Sequence, residues 1–209
     1  MTETNQNNLI LPKPHISWSQ LSCWLSNPNR YRKEYFEAGD KLDTKYLRFG
    51  KGVAELIENG THKTLLPDLV VYDKPEFEIK TNVLGVPTLS YLDTYNSVDN
   101  TFREYKTGKI PWTKAKVVKH GQLVFYATAL KHSVGKTPEY CDLDWIQTKE
   151  GGMEIEDFWR SNEKQINVTG IIKSFHRPFD EREIEKMENL IVKVATEISE
   201  SYQAFLKEI

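Results

Sequence analysis

Apolar residues first recur with a helical period after Ser17, where Leu21, Trp24 and Leu25 are spaced by three and four. Ser17-Trp18-Ser19-Gln20 has the form of a capping box, in which side chains take up amides left unpaired in the first turn. Asn27-Pro28-Asn29 breaks this helix, and the basic, aromatic stretch 30–37 reads as a second short one closed by Gly39. A third helix is predicted over 46–59, with Leu47, Val53, Leu56 and Ile57 inward and Gly60 ending it. The pattern then changes to that of strands over 76–83, 87–95 and 101–106, joined by turn residues at Gly85 and 96–100. Helical spacing returns over 115–131, through Val117, Val118, Leu123, Val124 and Leu130. Two further strands are expected at 142–148 and 166–174, separated by a polar stretch rich in Gly and Glu. Asp180 caps a last, long helix and Glu183 completes its box; Ile184, Met187, Ile191, Val194, Ile198 and Phe205 form its stripe.

This order predicts an α/β fold: a mixed central β-sheet made of a three-strand meander, a crossover helix and further strands, flanked by helices. The 209 residues suit one domain, expected over 13–209 behind a polar, amide-rich, disordered tail at 1–12. A net charge of −2 argues against a protein that coats nucleic acid by bulk charge, although an enzyme needs only a local basic groove. Cys23 and Cys141 are the only cysteines and are far apart, which predicts reduced thiols and neither a zinc site nor an iron–sulfur cluster. No apolar run approaches a membrane span and the N-terminus lacks a signal-peptide core, so a cytoplasmic protein with no membrane partner is expected. Gly50-Lys51-Gly52 lacks the form of a phosphate-binding loop, so no nucleotide-driven motor is expected within this chain.

Candidate chemistry gathers around the second and third strands. Asp93 closes the run Leu89-Ser90-Tyr91-Leu92-Asp93, where a carboxylate is costly unless it binds a cation or is hydrogen-bonded. In Phe102-Arg103-Glu104-Tyr105-Lys106, alternation puts Glu104 and Lys106 on one face. If the strands pair through the turn at 96–100, Asp93 lies beside Glu104, and the two carboxylates make a hard-oxygen site suited to Mg²⁺ or Mn²⁺. The lysine would then stabilise charge on a phosphate under attack. A solvated strand face with a salt bridge is the other reading of these three residues. Lys109, Lys114, Lys116 and Lys119 follow, with Trp112 interleaved, and a second basic group combines Arg30, Arg32 and Lys33 with Tyr31 and Tyr35. Both suit DNA binding, through phosphate neutralisation and base stacking, and both suit an ordinary solvated face.

Four segments, in order, resemble the RecB-like exonuclease branch of the PD-(D/E)XK nuclease superfamily. They are Ile16-Ser17-Trp18-Ser19-Gln20-Leu21 with Arg30-Tyr31; Gly50 to Glu58; Leu92-Asp93 with Glu104-Tyr105-Lys106-Thr107-Gly108-Lys109; and Gln122-Leu123-Val124-Phe125-Tyr126-Ala127. Together they run from about residue 16 to 130, and the Glu104-to-Lys109 segment is the most specific. The resemblance implies a restriction-endonuclease-like core and a metal-dependent DNA nuclease, an exonuclease of repair, recombination or phage and defence DNA processing. It implies Asp93, Glu104 and the Tyr105 carbonyl as metal ligands, Lys106 as the catalytic lysine, and Gln122 and Tyr126 beside the site. Many relatives carry a histidine ligand on the first-motif helix where this chain has Ala54; the adjacent Glu55 is the expected substitute. Without it, the alternative is a catalytically inactive DNA-binding or scaffold protein that retains the nuclease fold. Glu78, on the strand before Asp93, is a further carboxylate explained equally well by an ion pair. The pattern leaves strand preference, polarity and oligomeric state open.

Overall fold

In a computed structural model of the chain, residues 9–40, 43–150 and 166–209 are described. Five strands form one sheet in the order of the sequence: β1 (Lys74–Val83), β2 (Val86–Asn96), β3 (Thr101–Gly108), β4 (Tyr140–Glu150) and β5 (Ile166–Pro178). β3 and β4 run parallel and every other neighbouring pair is antiparallel, so the sheet is mixed as expected. The β1–β2 hairpin turns on Leu84 and Gly85, both at positive φ, as a two-residue turn matched to strand twist requires. The Asn82 side chain accepts the Gly85 amide there at 2.6 Å.

The helices are α1 (Trp18–Ser26), α2 (Pro28–Tyr31), α3 (Lys45–Glu58), α4 (Lys114–Val118), α5 (Gly121–Val134) and α6 (Glu181–Glu208). Asn27-Pro28 does more than end a helix. Asn27 caps α2 by accepting the Arg30 amide, and Pro28 enters at the first turn, where its missing N–H is no loss. α2 continues directly into a π-helical turn over Arg32–Phe36.

The single helix expected over 115–131 is two, broken at Lys119-His120. His120 is extended (ψ 100°), and the Val118 carbonyl accepts from the buried Arg177 guanidinium. Gly121 starts α5 under the Trp18 ring, where a Cβ would come within 2.3 Å of the indole. That contact fixes where α5 can begin.

The larger core lies between the sheet and α1, α5 and α6 and includes Leu21, Tyr31, Phe102, Leu123, Phe125, Leu130, Leu143 and Ile191. A smaller one joins α3 to β4 and β5 through Phe49, Val53, Ile57, Ile146 and Ile166. Of the expected tail, residues 1–8 lie outside the described residues. Leu9 and Leu11 pack against the larger core, and the Ile10 amide donates to Ser199 Oγ, so apolar burial and one hydrogen bond tie residues 9–11 to α6. Ile16 pairs with Thr88 beside β2. The Gly- and Glu-rich connection also falls largely outside the described residues. Among the described residues no helix is long and apolar enough to cross a membrane.

Candidate active site

β2 and β3 pair only through Thr94–Arg103, Tyr95–Phe102 and Asn96–Thr101. Beyond that short ladder, at Asp93 and Glu104, side chains take over from backbone. The Tyr105 amide donates to Asp93 Oδ2, so a carboxylate serves where a strand carbonyl would otherwise do so. Here opens a cleft of about 600 Å³ whose polar wall is Asp93, Glu104, Lys106, Gln122 and Tyr126. Leu47, Gly50, Val53, Ala54 and Ile57 of α3 form the facing wall.

Glu104 is 2% exposed. One of its oxygens accepts from Lys106 Nζ; the other, Oε2, is buried with no hydrogen-bond partner among the described residues. Lys106 Nζ also donates to Gln122 Oε1 at 2.9 Å, and Gln122 Nε2 donates to the Tyr126 hydroxyl at 2.7 Å. This is a single chain, Glu104–Lys106–Gln122–Tyr126. α5 presents its last two members one turn apart.

Burial lifts the Asp93 carboxyl well above the usual range and Glu104 lifts it further, against the pull of Lys106 and the Tyr105 amide. Burial works against the Lys106 charge, but Glu104 and Asp93 outweigh it and hold the ammonium protonated. Burial likewise raises the Tyr126 phenol, which stays neutral and able to donate. A buried carboxylate with a bare oxygen beside a second, destabilised carboxylate is a poor arrangement by itself and a good one around a cation. Among the described residues no three histidine, cysteine or carboxylate side chains cluster closely enough to hold a metal. A cation here would therefore rest on Asp93, Glu104 and backbone or solvent oxygens.

No protein-family model matches the chain, and no curated protein does. Solved structures that it resembles include a phage-related exonuclease from Haemophilus somnus 129PT, 15% identical, with a TM-score of 0.53 over 85% of this chain and 79% of that one. They also include a candidate exonuclease from Eubacterium rectale, 9% identical, with a TM-score of 0.53 over 95% and 87%. The fold is one that an exonuclease uses.

Several expected site residues lie elsewhere. Glu55 is exposed and does not line the cleft, because α3 turns the neighbouring Ala54 inward and the Glu55 side chain away. The helix thus offers a methyl group where a ligand was expected. Tyr31, expected on a DNA-binding surface, is fully buried: its hydroxyl donates to Gln20 at 3.0 Å and its ring stacks on Tyr35. Packing α2 against α1 leaves that ring no route to solvent. Arg30 is exposed but ion-paired to Glu34 at 2.6 Å. Lys109, Lys114, Lys116 and Lys119 are exposed, and Lys116 Nζ sits 4.1 Å over the Trp112 ring. That ring packs edge-on against His120, which precedes Gln122 by two residues.

One carboxylate of the region had not been singled out. Glu76 falls between the Pro75–Thr94 and Phe77–Leu92 pairs of β1 and β2, in register with Asp93. Its backbone is left-handed (φ 45°), uncommon for a residue with a side chain. Burial raises its carboxyl, and Glu58 and Glu104 raise it further. Glu78, by contrast, is turned to Lys80 at 2.7 Å and Tyr91 at 2.6 Å. The signal in the sequence was Pro75 at the start of the strand, which marks irregular pairing beside Glu76. His120 is the other addition: burial, followed by the Lys106 charge, lowers its pKa to about 4.

Proposed function

We propose that this protein is a Mg²⁺- or Mn²⁺-dependent DNA nuclease that hydrolyses phosphodiester bonds from strand ends, on the pattern of the RecB-like branch. The observation that carries the reading is Glu104: buried, tied through one oxygen to Lys106, and bare at the other beside Asp93. Asp93 and Glu104, with the Tyr105 carbonyl, would hold the cation. Bound there, a divalent ion would supply positive charge to the scissile phosphate and lower the pKa of attacking water. Lys106, kept protonated, donates to the phosphate oxygens and offsets the charge that grows on them. Gln122 fixes the ammonium in place and Tyr126 fixes Gln122, so Lys106 need not reorganise when a substrate arrives. Exposed Lys109, Lys114, Lys116 and Lys119 lie close in sequence to the site and would neutralise the flanking backbone.

Ala54 on the facing wall favours a second reading, a DNA-binding or scaffold protein that does not cut. One assay separates the two. Labelled linear and circular DNA are incubated with Mg²⁺, Mn²⁺ or chelator and with wild type, Asp93→Ala or Lys106→Ala. Metal-dependent release of nucleotides from linear DNA, lost in both variants, is the expected result. Binding without cleavage under every metal condition would leave the second reading standing. Repair, recombination or phage DNA processing, with a separate helicase or recombination partner, would follow from the first.

A further inference from the structure

A second cavity, of about 270 Å³, adjoins the cleft, since Gln122 and Tyr126 line both. It holds several times the ~30 Å³ share of one water molecule. The rest of its polar lining is Ser17, Ser19 and Ser90, with His15, Trp18 and Tyr91. Ser90 is 2% exposed, and its hydroxyl is buried with no hydrogen-bond partner among the described residues. Such a group costs free energy unless a ligand or solvent answers it. Ser90 precedes Asp93 by three residues on β2, so cavity and carboxylates are on the order of 10 Å apart along the strand. That span is at most about three steps of a stacked nucleic-acid strand.

The charge balance narrows what the cavity can take. Among the described residues no lysine or arginine lines it. The nearby Lys80 is neutralised by Glu78, which also accepts the Tyr91 hydroxyl. Burial, then Lys80, lowers the His15 pKa, so at neutral pH that ring is an uncharged donor or acceptor. A doubly charged terminal phosphate would be desolvated here with no cation of the lining to meet it. A hydroxyl would find matching groups in Ser90 and in Tyr126, whose own proton is not used in the bond from Gln122. Trp18 offers the flat apolar surface on which a sugar or base can rest.

We propose that this cavity seats the terminal nucleoside of a strand by its free hydroxyl, so that the protein selects hydroxyl-bearing ends over phosphorylated ones. The inference rests on the nuclease reading for its purpose, but its test does not need cleavage. Fluorescence anisotropy is measured in chelator with one single-stranded oligonucleotide in four forms: hydroxyl or phosphate at the 5′ end, and hydroxyl or phosphate at the 3′ end. The expected result is binding about tenfold weaker when one of the two ends carries phosphate, the scale of one unanswered buried polar group. Which end responds identifies the source of the hydroxyl. Ser90→Leu, which fills the cavity, should erase the difference by weakening binding of the hydroxyl form to that of the phosphorylated one. Ser19→Leu, at an exposed position of the lining, carries the same test if Ser90→Leu does not fold. Equal binding of all four forms, tighter binding of a phosphorylated end, or a preference that survives both substitutions would overturn the proposal. End preference without metal-dependent cleavage would sink the nuclease reading alone; cleavage without end preference would sink this one alone.

Discussion

Glu104→Gln tests the cation site without relying on a substrate. In chelator the change should alter stability little, because two effects oppose each other. Lys106 loses its buried counter-charge, while Asp93 loses the neighbour that raises its carboxyl. Lys106 also keeps its bond to Gln122. With metal the balance shifts. A ligand that binds only the folded state at a hundred times its dissociation constant stabilises by about 2.7 kcal/mol. For a chain of this size that is a rise in Tm of roughly 5–10 °C. If the glutamine weakens the metal by about a hundredfold, the same concentration contributes only ~0.4 kcal/mol, a shift of roughly 1 °C. Thermal unfolding of both proteins, with Mn²⁺, with Mg²⁺ and in chelator, reads the difference directly. An equal rise in both proteins would refute the assignment of Glu104, and the absence of a rise in wild type would refute the site.

Three further outcomes follow from the same geometry. Lys106→Met strands a carboxylate that is 2% exposed, so urea denaturation in chelator should show a loss of about 3 kcal/mol, the low end for breaking a buried pair because Lys106 is partly exposed; unchanged stability would mean Glu104 is better solvated than it looks. Because the folded-state pKa of His120 lies near 4, below its ordinary 6.5, the unfolded chain takes up the proton first as pH falls. The His120 contribution to stability should therefore be lost between about pH 6.5 and about pH 4 and change no further below, and His120→Phe should flatten that part of the slope in pH-resolved denaturation. Gly121→Ala should destabilise by ~1–3 kcal/mol through the clash with Trp18. The contrasting Gly50→Ala, whose Cβ would sit 3.7 Å from Thr107, should be neutral or gain a few tenths of a kcal/mol in helix propensity; matching effects at the two glycines would remove the reason given for the break before α5.

The sheet was legible because period and turn chemistry agree along β1, β2 and β3, and the long stripe of α6 is unambiguous. The break at Lys119-His120 was not, because it depends on Arg177 and Trp18, which are distant in sequence. At the site, alternation put Glu104 and Lys106 on one face, and they meet there. The direction of α3 was beyond reach: adjacent helical residues point about 100° apart, so only packing decides whether Ala54 or Glu55 faces the cleft. Tyr31 misled for a related reason. A basic, aromatic stretch looks alike whether its rings meet a nucleic acid or a core, and here a hydrogen bond to Gln20 anchors the ring inside. Glu76 was missed because its left-handed backbone departs from the alternation by which strand residues are sorted.

The carboxylate that takes the place of a strand carbonyl at Tyr105 also makes that amide a native reporter. Its proton is held by Asp93 itself. An ion drawing on the same carboxylate would thin the electron density offered to the N–H and weaken the bond. The resonance position and deuterium uptake of this one backbone group would then track loading of the site in an unmutated, resting protein, separately from whatever the lysine and the strand are doing.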